Sequence, residues 1–564
     1  MRMNRRGLLG LLGAGMASPA AAGAASAAVP VAFLHGVASG DPDTRSAVFW
    51  TRVTPADPTA GDVPVTLEVA ADAGFAHIVR RAQGLRARAS RDFTVKHDLD
   101  GQGLEPGTEY FYRFVAGEVV SPVGRVKTLP EGATTDVVLA VASCQLYPGG
   151  LFNAYEAMAR LERLDAVVHL GDYIYEYGAE PGDYGMATGA ALNRTPEPAH
   201  EIVSLDDYRR RHAQYKSDPD LQAAHARAAF ICVWDDHEVT NDAWASGAQN
   251  HQPETEGDYS ARKATALRAY YEWMPIRERP VREGINRSFH FGDLASLMMV
   301  ETRLTGRSEQ LDYAKDLSFT AGPNGRPVPD VAAFEAKRTE ASRDLMAEAQ
   351  RTWLRDELRA SRSAGRPWQV LGNQVVMARV AGPNVAAQMT PEQVQGFLAA
   401  LPEGVRAQVA MSVELFRLGL PFNLDAWDGY PTARERLYAL FAEAEVQPIV
   451  LAGDSHAFWI NELKDQSGTP RGVEFGTSSI SSPSPGDFLG DALPLGPALT
   501  ATNPEVRFCD QRSKGFTLLT LTPEAATAEL IAVSTIMAKP FDVRTVKTGR
   551  VTRGVEGLEL ALEG

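Results

Sequence analysis

Six short segments, far apart in the chain, carry residue types that bind cations or phosphate. They are Ser143-Cys144-Gln145, Gly171-Asp172-Tyr173-Ile174-Tyr175, Asp235-Asp236-His237-Glu238, Glu301-Thr302-Arg303, Gly372-Asn373-Gln374 and Gly453-Asp454-Ser455-His456. Each follows directly on an apolar run of strand type. In open α/β sheets ligands collect beyond the carboxyl ends of strands, so such endings imply one site built from distant segments. The donors are mixed: thiol, carboxylate, phenol, imidazole and amide. That mixture is wrong for a uniform zinc cage and suits one hard, highly charged ion beside a divalent one. Thiol and phenol ligate best as anions, a state that a trivalent ion can hold near neutrality, and a carboxylate shared by two ions offsets their repulsion. Two ions about 3.5–4 Å apart can polarise a phosphoryl oxygen and generate a hydroxide for in-line attack, with no serine nucleophile.

These endings need a sheet to position them. From Thr135 onward, apolar runs such as Val137 to Val141, Ala166 to Leu170, Phe230 to Trp234, Leu297 to Val300, Gln369 to Leu371 and Pro448 to Leu451 alternate with helical patterns. Phe152, Tyr155, Met158 and Leu161 recur at helical spacing, and Gln350 to Ser361 and Arg434 to Ala444 read as helices. This is the rhythm of an α/β domain over 135–564. Residues 29–130 differ: short alternating runs such as Val65-Thr66-Leu67-Glu68-Val69, separated by Pro, Gly and Asp turns, predict an all-β sandwich without catalytic residues. Within it, Leu104 to Phe114 resembles the strand entry of fibronectin type III modules, where a tyrosine pins the corner. Tyr177 to Pro198 and Gly322 to Pro329 read as long loops, and Thr517 to Leu521 with Ala528 to Ala532 as a terminal pair completing a sheet edge.

The 564 residues are 44% hydrophobic, enough for several packed units, and 56 basic against 71 acidic residues give a net charge of −15. That balance opposes a nucleic-acid-binding patch or a broad anionic-membrane footprint and favours cations. Residues 1–27 read as a secretion signal in which Arg5-Arg6-Gly7-Leu8-Leu9 resembles a twin-arginine leader, implying passage of the folded protein through the twin-arginine export machinery to the periplasm or beyond. No later segment has the roughly 20 unbroken apolar residues of a membrane span. Cys144, Cys232 and Cys509 are too few for a disulfide framework, although an oxidising destination would permit one bridge.

Together Ser143-Cys144-Gln145, Leu170 to Gly178, Trp234-Asp235-Asp236-His237-Glu238 with Asn241, and Gly453 to Trp459 resemble the PhoD family of alkaline phosphatases and phosphodiesterases over essentially the whole chain after the leader. That family lies among the calcineurin-like metallophosphoesterases and is similar to purple acid phosphatases, whose core is a pair of sheets flanked by helices. The resemblance implies a ferric ion held by Cys144, Asp172, Tyr175 and His456, with one or two calcium ions nearby and Asp172 bridging two metals. Asp236 stands where the superfamily has a metal-binding Asn and Asp454 where it has a His, replacements that favour hard calcium over zinc. Asn373 or Gln374 lies where a further His ligand is expected. His237 is implied to contact phosphate and aid the leaving group, and Arg303 and Asn241 to contact phosphate or the second ion.

The implied activity is hydrolysis of phosphate mono- or diesters outside the cytoplasm. Two other functions fit the sequence: a phospholipase D acting on phospholipids, and a secreted calcium-binding or adhesion protein with a relict site. Asp235 and Glu238 are expected to orient the ligands, Tyr173 and Tyr177 to pack or face solvent, and Arg209-Arg210-Arg211 to form a solvated helix face.

Overall fold

The computed structural model describes residues 30–563 apart from 58, 60, 100–102, 323–325, 402, 491–492 and 556; the expected leader, 1–27, lies outside the described residues. Two large sheets pack face to face. The first has ten strands, with Val137–Ala142, Ala166–His169 and Ala229–Cys232 parallel at its centre. The second has seven, with Ala295–Met299, Trp368–Gly372, Ile449–Ala452 and Pro470–Gly476 parallel. The central strands are buried along their whole length, as their near-continuous apolar sequences require. Period-two alternation then sorts the second sheet. Leu297, Val370, Ile449 and Leu451 join Leu139 and Val168 in the inter-sheet core. Met298, Leu371 and Val450 face outward against Leu354 and Leu358 of helix Glu348–Ser363 and Leu437 and Phe441 of helix Pro431–Glu443. Each such aliphatic side chain contributes about 1.5–3 kcal/mol on full burial.

The amino-terminal region forms a five-stranded sheet in which Glu109–Ala116 alternates cleanly, burying Tyr110, Tyr112, Phe114 and Ala116. Tyr110 makes the expected corner, its hydroxyl accepting the Glu105 amide at 2.9 Å. The sheet opposite it is Val37–Gly40, Val48–Arg52 and Thr94–Asp98, with Phe49 and Val95 meeting Leu67, Tyr112 and Phe114. Those same three strands extend the ten-stranded sheet, Gly40 pairing in parallel with Phe230. A side chain at Gly40 would strike the Pro275 and Phe230 carbonyls at 2.2 and 2.5 Å. Beside this joint, buried Arg287 grips Asp41 at 2.6 Å and the Cys232 carbonyl at 2.7 Å.

Some local expectations are corrected. Lys514–Leu521 is interior, paired antiparallel with Val137–Ala142, and the true edge is Leu558–Glu563, two strands beyond Ala525–Val533. The stretch from Tyr177 to Pro198 holds a helix, Met186–Leu192, and Phe319–Ala321 pairs with Pro327–Pro329 as a hairpin. All three cysteines are free and buried.

Candidate metal centre

Cys144, Asp172, Asp454 and His456 all adopt left-handed backbone, φ +55° to +59°, just past the ends of Val137–Ala142, Ala166–His169 and Ile449–Ala452. Non-glycine residues rarely hold that conformation, and clustering it at one place marks a site the surrounding structure enforces. The loops are tied edge to edge: the Cys144 amide donates to the Gly171 carbonyl at 3.1 Å, Gln145 to Asp172 at 3.1 Å and Gly453 to Gln374 at 2.7 Å. Gly171, at φ +115°, allows the close approach, since a Cβ there would lie 2.4 Å from the Asp235 backbone nitrogen. Glu238 completes the frame by accepting the amides of Asp172, Tyr173 and Asp235 at 3.1, 2.6 and 2.8 Å.

Three overlapping donor groups result, each with its ligand atoms within 4.8 Å of one another: Cys144, Asp172 and His456; Asp172, Asp236 and His237; Asp235, Asp236 and Asp454. Asp172 belongs to the first two and so joins them. Tyr175 donates from Oη to Asp172 at 3.0 Å and lies 3.3 Å from His456 Nε2. His456 Nδ1 donates to the Pro483 carbonyl at 2.7 Å, which fixes the tautomer and leaves Nε2 a free lone pair on the Tyr175 side. Burial holds His456 down to about 3, so the ring is neutral as a ligand must be.

The electrostatics show what the group lacks. Burial, then neighbouring Asp172, pushes the Cys144 thiol well up; burial, then Asp172 and Cys144, does the same to the Tyr175 phenol. Burial raises the carboxyls of Asp172 and Asp454 strongly and that of Asp235 to about 6. Fully buried Arg303 faces Asp235, Asp236 at 3.4 Å, Asp425 at 2.8 Å and Asp454 at 3.3 Å, and buried Arg307 pairs with Asp425 as well, so two guanidiniums meet these four carboxylates and Asp172 beside them. Asp172 Oδ1, Asp235 Oδ2 and Asp236 Oδ1 are buried without a hydrogen-bond partner. An unpartnered buried carboxylate oxygen is costly, and a cation is the partner this donor set fits.

The expected residues are placed as follows. His237 lines the cleft above the donors; its Nδ1 bonds Glu176 at 2.7 Å and its ring lies 4.2 Å from that of Tyr175. Against burial, which lowers it, Asp236, Glu176 and Asp172 hold its proton affinity well up. Asn241 lines the same cleft. Arg303 is fully enclosed beneath the carboxylates, where it balances their charge. Asn373 directs its side chain elsewhere, its oxygen accepting from the Trp427 indole at 3.2 Å and its amide donating to the Val375 carbonyl; Gln374 is likewise held by Thr302 and the Val300 carbonyl. Tyr173 is core, as expected, whereas Tyr177 lines the cleft. The arginine run is not a solvated face: Arg211 is buried and donates to the carbonyls of Tyr175 and Pro198, holding the tyrosine loop. Four contributors escaped sequence reasoning: Glu176, Tyr184, Asp425 and Ser482. Ser482 lies 2.8 Å from Tyr175 Oη, and Tyr184 stacks on His456 and donates to Pro483 at 2.8 Å. Only Glu176 sat inside a recognisable motif; Tyr184 and Ser482 lie in Gly-, Pro- or Ser-rich stretches with no periodicity to mark them.

Comparison with known proteins places this geometry. Residues 139–530 match the family model described as "PhoD-like phosphatase" and residues 18–130 its "PhoD-like phosphatase, N-terminal domain". The chain is 36% identical over 509 residues to "Alkaline phosphatase D" of Bacillus subtilis (strain 168), covering 87% of this chain and 76% of that protein. It superposes on a solved "Structure of PhoD" with a TM-score of 0.73 at 31% identity, covering 94% of this chain and 92% of the other.

Proposed function

The chain belongs to the PhoD-like phosphatase family and is a phosphoric ester hydrolase, and on that premise we propose that its activity depends on a ferric ion held by Cys144, Asp172, Tyr175 and His456. One or two calcium ions would be held by Asp172, Asp236 and Asp454. The observation that carries this reading is the convergence of a thiol, a phenol, an imidazole and orphaned carboxylates on one enclosed spot. Phenolate and carboxylate on one ion favour a hard, highly charged metal, thiolate and imidazole are compatible with iron, and an all-carboxylate neighbour favours calcium. When bound, such ions supply Lewis acidity toward the phosphoryl oxygen and make water nucleophilic near neutrality.

The chain's own residues do the rest. Arg303, pairing with Asp235, Asp236, Asp425 and Asp454, keeps the carboxylates from spreading apart and acts as a positioning residue. His237, its Nδ1 engaged by Glu176, presents Nε2 to hold a proton for the departing ester oxygen. Asn241, at the cleft wall with its amide donating to Gln249 Oε1 at 3.0 Å, keeps a second amide hydrogen for a phosphate oxygen. The Arg5-Arg6 leader motif supports export of the folded protein to the periplasm or exterior, and among the described residues no helix is long and apolar enough to cross a membrane. The reading is tested on protein made by its natural export route: elemental analysis should find iron and calcium, visible absorbance should report thiolate or phenolate to iron charge transfer, and a chelator should abolish release of phosphate from a simple ester. A colourless, iron-free preparation with full activity would exclude the ferric assignment.

A further inference from the structure

The cleft over the metal centre, about 760 Å³, is one continuous space with two chemically unlike ends. One end is formed by Asp172, Asp236, His237, Asn241, Asp454 and His456. The other runs under a pair of helices, Pro391–Ala400 and Glu403–Phe416, and is lined by Val385, Phe397, Val409, Val413, Leu489 and Leu493. Phe397 and Val413 pack with Val409, Leu489 and Leu493 in a small cluster of their own, so the two lips of the cleft meet through apolar side chains. Polar side chains are few in this arm and partly engaged: Ser412 Oγ donates to the Gln408 carbonyl of its own helix at 3.0 Å, and the Asn423 oxygen accepts the Asp425 amide at 2.8 Å. A sugar or nucleoside reaching into the arm would find few partners along its aliphatic wall, which disfavours such groups by about 10²-fold for a hydroxyl.

We propose that this arm binds the alcohol portion of the substrate, and that the preferred ester carries a linear alkyl chain on the oxygen that leaves phosphorus. The proposal rests on the metal-centre reading, which fixes the phosphate at the acidic end; the continuity of the cleft then leads the leaving group along the aliphatic wall. The reaction is ordinary hydrolysis: water oxygen bonds to phosphorus, the phosphorus–alkoxide bond breaks, and the alkoxide takes a proton to leave as a long-chain alcohol with inorganic phosphate. Phe488, 51% exposed where the arm meets solvent, gives a chain an apolar lip to cross.

The test is a series of ethyl, butyl, hexyl and octyl phosphates, each below its critical micelle concentration, hydrolysed by the metal-loaded full chain. Each added methylene is expected to raise kcat/KM about three- to fourfold until the arm is full. Ser412→Trp, which fills the arm, and Val409→Asp, which charges it, should each flatten the series, so that the ratio of octyl to ethyl kcat/KM falls to about one in either variant. A flat series with normal ethyl phosphate turnover in the wild type overturns the alkyl arm and leaves the metal centre standing. Absence of ethyl phosphate turnover with iron and calcium bound would instead overturn the metal-centre reading. A rise with chain length only above the micelle threshold would also overturn the proposal, because it would place recognition at an aggregate surface and not in the cleft.

Discussion

The segment His169–Tyr175 sends its side chains to two buried polar clusters that look alike and need different things. Asp172 and Tyr175 enter the acidic one, with Asp235, Asp236 and Asp454. His169 and Tyr173 enter a basic one, with His212, His225 and Lys216, sealed by Trp50 and Trp273. Both contain buried atoms without hydrogen bonds: Asp172 Oδ1, Asp235 Oδ2 and Asp236 Oδ1, the last with only the Arg303 guanidinium at 3.4 Å, in the first, and His169 Nε2, both His212 nitrogens and His225 Nδ1 in the second. In the basic cluster burial, seconded by Lys216, holds His169 and His212 down to about 3, so each ring is neutral. A neutral ring short of hydrogen bonds needs only a neutral partner such as water. In the acidic cluster two guanidiniums, Arg303 and Arg307, stand against the carboxylates of Asp172, Asp235, Asp236, Asp425 and Asp454, and the need is for charge. Unsatisfied atoms therefore mark a ligand site only when their charge, and not merely their hydrogen bonding, is left uncompensated.

Substitutions on the two sides should separate accordingly. Asp172→Asn, which alters the donor that joins the Cys144–His456 group to the carboxylates, should lower kcat by at least about 10³-fold and strip iron, read by turnover and elemental analysis. If iron content and rate survive, the acidic cluster is not the metal centre. Glu238→Gln leaves every donor in place but weakens the grip on three backbone amides; a fall of about 10–100-fold in metal affinity or activity is expected. Removing metal from the wild type by chelation should lower the melting temperature, since the ions bind only the folded chain, and the same treatment of Asp172→Asn should move it less.

The smallest effect on turnover is expected at Lys216→Met, within about threefold, with iron content unchanged, because the basic cluster holds none of the donors. Its signature is in stability. Lys216, against Trp50, Tyr173, His225 and Cys232, is held by burial down to about 7 from 10.5. The unfolded chain thus binds the extra proton between pH 7 and 10.5, and this residue makes wild-type stability rise with pH across that window. The full span is roughly 5 kcal/mol, present as a penalty below pH 7 and gone above pH 10.5. Denaturation at pH 7 and pH 10 should show the variant gaining on the wild type at the lower pH; a parallel pH dependence in both would mean that Lys216 reaches solvent.

Much of this was readable before any fold was known, for a physical reason. Strands buried on both faces must be apolar throughout, so Val137–Ala142 or Ile449–Ala452 stand out, and the polar residues that follow them mark the sheet's carboxyl rim. Asp172, Tyr175, Asp454 and His456 are legible on those grounds. Arg303 and Asn373 were legible as residues at strand ends but not as to their duties, because a side chain's partners lie across the sheet and leave no trace in its own neighbourhood. Arg211 shows the limit of local charge: a run of three arginines reads as solvated, yet the middle of the protein needed a donor for the Tyr175 carbonyl. Ser482 and Tyr184 gave no warning, since Ser and Tyr in loops serve many ends.

The strands that carry Phe49 and Val95 bond into the same sheet that carries Asp172. The front portion is accordingly not a detachable cassette. A shortened enzyme starting near residue 135 would bare the flank of Ala229–Cys232, invite pairing with its twin, and lose Asp41, the counter-ion that keeps Arg287 seated. Anyone wishing to graft this catalyst onto another carrier would have to transplant both portions as one piece.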